Sequence, residues 1–193
     1  NRWLFQDFIL SGERGKLTVK GDLAKDSTSL LTAGLENFDL EHLQVFFPVK
    51  YIPDGMAKIE VSGQELLGEG KLSFKTDIED FALNEYTYGR VELGGTCALS
   101  PLNLDLKATL KDEGQDMIIL NGSYESANEQ LPLNAQIGTD KGFPLAYISP
   151  FVEGQLYGLS GQVALDSFNI AGNLDDFEVN GTGHFENTKV GID

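Results

Sequence analysis

The amino-acid sequence predicts a mostly β protein built on an antiparallel sheet with one dry face and one wet face. Apolar and polar residues alternate strictly in most segments, as in PLNLDLKATL (101–110). Clusters of Gly, Asn and Asp, such as KDEGQD (111–116), separate these segments and are typical of turns. Helical spacing is confined to two short stretches, 40–47 and 145–152. One-sided alternation is typical of an antiparallel sheet with only one face shielded from water.

The alternating segments follow one another along the chain as roughly ten to twelve predicted strands. Clear examples are KLTVKGDLA (16–24), AKIEVSG (57–63), EGKLSFKTD (69–77), QVALDSFNIAG (162–172) and FEVNGTGHFEN (177–187). Apolar residues two apart share one face of a strand, and each segment contains such residues, including Val163 and Leu165 in the fourth. We predict that the dry face is lined by Leu17, Val19, Ile59, Val61, Leu72, Phe74, Leu102, Leu104, Leu106, Val163, Leu165, Phe177 and Val179.

Several glycines lie inside the strand patterns instead of in the turns, and they predict a bent sheet. They are Gly21, Gly63, Gly122, Gly181 and Gly183. A glycine within a strand often marks a bulge, a bend or a close approach of two backbones. Two architectures agree with this pattern. A two-layer sandwich would seal the dry face against a second sheet, and a deeply folded single sheet would leave part of it open as a trough.

The segment FPLAYISPFV (143–152) predicts a short helical turn among the strands. Leu145, Ile148 and Phe151 recur at helical spacing, and prolines begin and end the turn. We interpret these three residues as an apolar cap over one end of the sheet. DLEHLQVFFP (39–48) has the same spacing, so 39–75 and 143–186 form a weak internal repeat within one domain, 1–193.

The bulk composition excludes several classes of function. With 193 residues and 41% hydrophobic content, the chain is long and apolar enough to fold, so wholesale disorder is excluded. A net charge of −16 argues against a nucleic-acid partner, which requires clustered Lys and Arg. No apolar run approaches 18 residues, which predicts no membrane span in this chain. We interpret the chain as a fragment of a longer protein.

Residues that carry catalysis or bind metals are sparse. The two histidines, His42 and His184, are isolated, and Cys97 has no basic neighbour to lower its pKa. Acidic clusters are the most enzyme-like feature, and we interpret them as solvated charges at hairpin tips. They comprise Asp77, Glu79 and Asp80, then Asp112, Glu113 and Asp116, then Asp175, Asp176 and Glu178. No enzyme activity, cofactor or metal site is predicted.

Residues 144–192 have a particular spacing of Gly, Pro and apolar residues. An apolar turn ends at Pro150, a GLSG strand (158–161) follows, and later strands carry further glycines. The residues concerned are Leu145, Ile148, Pro150, Gly158, Leu159, Gly161, Val163, Leu165, Ile170, Gly172, Phe177, Gly181, Gly183, Phe185, Asn187 and Val190. This spacing resembles the C-terminal domain of the TamB (translocation and assembly module) family, although Asn173 stands where that pattern has Thr. Residues 39–75 resemble a second, more degenerate copy.

The resemblance implies a fold, a location and a function. TamB-like proteins are related to bridge-like lipid transporters, and their sheet folds lengthwise into a trough with an apolar interior. They are anchored in the inner membrane of Gram-negative bacteria and cross the periplasm. The family is implicated in moving phospholipid towards the outer membrane, and in assembling outer-membrane proteins with a partner barrel. The implied partners of this chain are therefore phospholipid acyl chains or unfolded β-strand clients.

The predicted function is thus a segment of a periplasmic hydrophobic groove without enzyme activity. Two alternatives remain open at this point. An extracellular binding or adhesion module would be a closed β-sandwich, with Tyr86 and Tyr88 as candidates for stacking on a sugar. A β-rich glycosidase would require two carboxylates that face each other across a cleft.

Overall fold

The structure is a computed structural model of the chain, and it shows a single curved antiparallel sheet that folds into an open trough with an apolar interior. It describes residues 2–13, 15–24, 29–42, 52–128, 132–139, 141–152, 156–173 and 176–192. The described strands are β1 (Trp3–Gly12), β2 (Gly15–Leu23), β3 (Leu30–Asp39), β4 (Pro53–Gln64), β5 (Lys71–Leu83), β6 (Tyr86–Leu99), β7 (Leu102–Asp112), β8 (Gln115–Glu125), β9 (Leu133–Gly138), β10 (Phe143–Pro144), β11 (Leu156–Gly172) and β12 (Phe177–Ile192). A 3₁₀ turn (Leu145–Ile148) and the helix α1 (Ser149–Val152) follow β10. The predicted fold class is confirmed.

The strands form a simple meander in which each strand lies beside the one before it. From β1 to β9 the spatial order equals the chain order, and every pairing is antiparallel. The long strand β11 then pairs with β12 along its whole length on one side, and with β9 and β10 on the other. This topology leaves β1 and β12 as the two edges of the sheet in the described part of the chain.

The sheet is open, as its accessible surface shows. The accessible surface is 12588 Å², against roughly 9,000 Å² expected for a compact monomer of this mass. No second sheet among the described residues packs on the apolar face, so the sandwich alternative does not describe this fold. Most of the apolar side chains are consequently half-buried and few are fully enclosed.

A line of β-bulges bends the sheet near one end. The pairings β4–β5, β5–β6 and β7–β8 each have a register shift at the same level of the sheet. This level lies just beyond the cross-strand row of Ala57, Ile78, Val91 and Leu110. Asp80 and Gly89 have positive φ angles at these breaks. Because each bulge bends its strand, bulges at one level in adjacent strands curve the whole sheet.

The two predicted helical segments differ in how far they are described. Residues 145–152 form the 3₁₀ turn and α1, as the spacing predicted. Of the earlier segment, residues 40–42 form a 3₁₀ turn in which Leu40 is buried. Residues 43–48 lie outside the described residues.

The apolar face as a candidate binding groove

Strand register gathers the predicted dry-face residues into continuous rows across the sheet. Directly paired residues of neighbouring antiparallel strands point to the same face. The central row runs through Phe8, Val19, Ala33, Val61, Phe74, Gly95, Leu106, Gly122, Ala135, Ile170 and Val179. Every member of this row is apolar or glycine, from one edge of the sheet to the other.

Two parallel rows flank the central row on the same face. The Leu17 row contains Leu10, Leu17, Leu35, Ile59, Thr76, Leu93, Ala108, Leu120, Ile137, Phe168 and Gly181. The Leu72 row contains Phe5, Gly21, Leu31, Gly63, Leu72, Cys97, Leu104, Tyr124, Leu133, Gly172 and Phe177. Together the three rows form an apolar surface, named here the apolar face.

Most of the predicted groove residues belong to these rows, and three do not. Leu102 pairs with Leu99 at the end of the sheet that carries the β6–β7 hairpin, and its side chain is exposed. Val163 and Leu165 lie in β11 and pack against the cap. Phe177 and Val179 are in the rows, but they are about half exposed because β12 is an edge strand.

The opposite face of the sheet is polar and charged. The hydroxyls of Ser62 and Ser73 hydrogen-bond across β4 and β5 at 2.7 Å. Lys111 Nζ lies 2.8 Å from Glu92 Oε2, and this hydrogen bond raises the pKa of Lys111. Depressions of about 330 and 600 Å³ occur on this wet face. Charged side chains such as Arg90 and Lys111 line the larger one, and Ser62, Ser73 and Thr96 are among the residues that line the smaller one.

The cap residues pack unequally at the end of the apolar face. Leu145 is 3% exposed and forms a buried cluster with Phe143 and Val163, against which Ile148 also packs. Phe151 is 56% exposed. The structure therefore brings Leu145 and Ile148 together over the sheet, whereas the side chain of Phe151 is directed largely to solvent.

Tyr88 joins the cap to the sheet, a role that the sequence did not reveal. Its ring centroid lies 4.8 Å from that of Tyr147 and 5.8 Å from that of Phe81. Burial raises the pKa of Tyr88 to about 12. The pKa of Tyr147 is also raised, by burial and then by the carboxylate of Asp112. In the sequence, Tyr86 and Tyr88 are only a close pair two residues apart, which predicts a shared face of a strand and gives no sign of a contact with the cap.

Of the residues considered for catalysis or metal binding, Cys97 lies in the Leu72 row of the apolar face, and the others are engaged elsewhere. Asp77 is engaged by the Arg90 guanidinium, and this hydrogen bond raises the pKa of Arg90. His184 Nδ1 lies 3.6 Å from Asp166 Oδ1 at an exposed position, and the ring of His42 contacts that of Phe38. Among the described residues, no three His, Cys, Asp or Glu side chains are placed to hold a metal ion. Asp175, in the last acidic cluster, lies outside the described residues.

Comparison with known proteins adds no relative. No protein-family model, no curated protein and no solved structure matches this chain. In the described part of the chain, every helix is too short or too polar to cross a membrane. The functional proposal therefore rests on the geometry of the sheet and on the spacing of the residues.

Proposed function

We propose that this chain is a segment of a hydrophobic groove that shelters phospholipid acyl chains in the periplasm, as the resemblance to TamB-like proteins implies. The observation that supports it is the apolar face, on which three cross-strand rows continue from β1 to β12. The face is open along the sheet, since the described strands do not close on themselves.

The length of the rows suits an acyl chain. Neighbouring strands lie about 4.8 Å apart, so a row across eleven strands extends for roughly 50 Å. The hydrocarbon core of a bilayer is about 30 Å thick, and each leaflet provides half of it. An acyl chain would therefore occupy only part of the row at any time.

The chemistry of the rows suits movement better than tight binding. Each CH₂ group that leaves water for an apolar surface gains about 0.8 kcal/mol, irrespective of orientation. The central row has no charged side chain that would stop a chain, because its members are aliphatic, aromatic or glycine. A uniform surface of this kind favours sliding along the groove, and the polar face keeps the protein hydrated.

Photocrosslinking from two adjacent positions tests the proposal. Leu104 is half-buried on the apolar face, and its neighbour Asp105 is exposed on the polar face. A benzophenone side chain at position 104 is expected to crosslink phospholipid, and the same group at 105 is not. Mass spectrometry of the adducts, with native mass spectrometry of the wild-type protein after mild extraction, gives the readout. Equal labelling at both positions, or lipid-free protein, overturns the proposal.

Assembly of outer-membrane proteins is the second function that the resemblance implies. An unfolded client strand with alternating apolar residues would match the apolar face with one side. The same crosslinkers separate the two cargoes, because a polypeptide adduct at position 104 differs from a phospholipid adduct in mass. If position 104 crosslinks a polypeptide and no phospholipid, the function is binding of client strands and not shelter of lipid.

A further inference from the structure

The polar face of the sheet changes in character along the strand order. On β2 to β7 it carries many charged side chains, and opposite charges lie beside each other. The Nζ of Lys16 lies 3.7 Å from a carboxylate oxygen of Glu36, and the Nζ of Lys58 lies 2.9 Å from one of Glu60. In the middle of β8, β9, β11 and β12, uncharged amide and hydroxyl side chains take their place. They form the amide patch, which comprises Asn121, Ser123, Asn134, Gln136, Asn169 and Asn180.

Strand register aligns four of these amides in one row across the polar face. Asn121 pairs with Gln136, Gln136 with Asn169, and Asn169 with Asn180. Direct partners in antiparallel strands share a face, and all four residues are exposed. Neighbouring strands lie about 4.8 Å apart, so the row extends for roughly 14 Å. A ligand that lies across the strands therefore meets one amide at each strand.

A second pair, Ser123 and Asn134, lies beside this row. Together with Asn121 and Gln136, it lines a depression of about 480 Å³ on the polar face. Residues of β6 and β7 complete the depression, among them Gly94, Thr96, Asp105 and Lys107. Small molecules are usually enclosed in clefts with apolar walls. This surface is polar and follows the sheet, so it suits an extended chain better than a small molecule.

The amides of the patch are available to a ligand. In the described part of the chain, the side chains of Asn121, Asn134, Gln136 and Asn180 have no hydrogen-bond partner in the protein. Each amide offers a carbonyl acceptor and two N–H donors. Asparagine is depleted in strands, so its repetition in adjacent strands is not explained by the stability of the sheet. Departures from local preference without a structural gain are typical of functional sites.

Electrostatics indicate a neutral ligand. The chain has a net charge of −16, and the field of such a protein repels anionic polymers. The amide patch itself has no charged side chain, so it provides no partner for a cation. Hydrogen bonds are therefore its main means of attraction. A carbohydrate chain without charged groups fits these conditions, because each sugar unit has several hydroxyls that both donate and accept hydrogen bonds.

We propose that the amide patch binds a neutral glycan chain that lies across β8, β9, β11 and β12. The side-chain carbonyls accept hydrogen bonds from sugar hydroxyls, and the NH₂ groups donate hydrogen bonds to sugar oxygens. The patch contains no aromatic side chain, so binding depends on hydrogen bonds and not on stacking. It lies on the face opposite the apolar face, and this proposal is therefore independent of lipid binding.

The row of amides favours a polymer over a single sugar. One hydrogen bond exchanged with water contributes little to affinity. Once one sugar unit is bound, the units linked to it reach the neighbouring amides at a high effective concentration. Affinity is therefore expected to rise steeply with the length of the glycan until the row is filled.

Nuclear magnetic resonance tests the proposal, because the side-chain NH₂ groups of ¹⁵N-labelled protein give their own signals. The signals of Asn121 and Gln136 are expected to shift on titration with chitohexaose or with cellohexaose. The corresponding disaccharide is expected to bind at least about tenfold more weakly. An oligogalacturonate of the same length, which has a carboxylate on each unit, is expected to leave the signals in place. No shift with either neutral hexasaccharide, or equal binding of the oligogalacturonate, overturns the proposal.

A pair of matched variants tests whether the amides themselves bind the glycan. Gln136→Met keeps the approximate length of the side chain and removes its hydrogen-bonding groups, so it is expected to weaken binding about three- to tenfold. Gln64→Met makes the same change at an exposed position of β4 and is expected to leave the affinity unchanged. The backbone spectrum verifies that both variants fold. Equal affinities of the two variants contradict the assignment. Shifts that follow protein concentration without any glycan would identify a second copy of the chain as the occupant and would also overturn it.

Discussion

The hydroxyl of Tyr88 donates a 2.7 Å hydrogen bond to the backbone carbonyl oxygen of Tyr147. This bond connects β6 to the 3₁₀ turn that caps the apolar face, although 59 residues separate the two positions in the chain. Backbone carbonyls in a turn need a partner when they are shielded from water. The contact therefore fixes the cap over the end of the sheet where the bulges bend it.

Removal of this hydroxyl is expected to loosen the cap. Tyr88→Phe keeps the ring contact but leaves the Tyr147 carbonyl without its partner, which costs about 1–2 kcal/mol of unfolding free energy. Tyr157→Phe, at an exposed position in β11, is the control and is expected to change stability by less than about 0.5 kcal/mol. Urea unfolding measures both. Equal stabilities for the two variants would show that the hydrogen bond does not hold the cap.

Alkaline pH is expected to destabilise the same contact. The pKa of Tyr88 is raised by burial to about 12, whereas an unfolded Tyr titrates near about 10. Between these values the unfolded chain has released a proton that the folded chain retains, so stability falls as the pH rises. The contribution of protonated Tyr88 to the free energy of unfolding is complete below about pH 10 and is lost as the pH passes about 12. The stability difference between wild type and Tyr88→Phe should therefore narrow over this interval, and a constant difference would contradict the assignment.

Alternation placed most of the predicted groove residues on one face of their strands, but Leu102, Val163 and Leu165 lie outside the three rows. Residues such as Leu17, Ile59 and Leu104 were assigned to one face from their own segments, and the register then joined them into rows. The rows themselves were not predictable, because register depends on hairpin lengths and bulges in every intervening strand. The bulges at Asp80 and Asp7 carry no strong signal, since neither residue is a glycine.

The cap was predicted in outline and not in detail. Helical spacing selected Leu145, Ile148 and Phe151, but spacing does not determine which side of a short turn faces the sheet. Tyr88 was considered only for sugar stacking, because its partner lies in a distant part of the chain. A contact over such a separation depends on the whole sheet between β6 and β11.

Two glycines of the central row are expected to differ in their tolerance of alanine. A Cβ at Gly95 would overlap the backbone carbonyl oxygen of Asp105 and lie 2.8 Å from Cζ of Phe74. At Gly122 the nearest atom is Cβ of Ala135 at 3.6 Å, which is an ordinary contact. Gly95→Ala should therefore cost roughly 2 kcal/mol or more of unfolding free energy, while Gly122→Ala should stay within about 1 kcal/mol of wild type. Thermal unfolding compares them, and a Gly95→Ala protein as stable as Gly122→Ala would contradict the close packing of Phe74 on β6.

A new negative charge is expected to disrupt lipid binding when it lies on the apolar face, and not when it lies on the polar face. Leu106 belongs to the central row, and Lys107, the next residue, is exposed on the polar face. Leu106→Glu removes apolar contact with about two CH₂ groups of an acyl chain and adds a carboxylate, so lipid occupancy should fall at least about tenfold. Lys107→Glu introduces the same side chain one residue away and should leave occupancy within about twofold of wild type, since it acts only through distant charge. Native mass spectrometry of both variants measures the occupancy, and circular dichroism verifies that the sheet remains folded. Equal losses in the two variants would indicate that net charge controls binding, and the apolar face would then not be the lipid site.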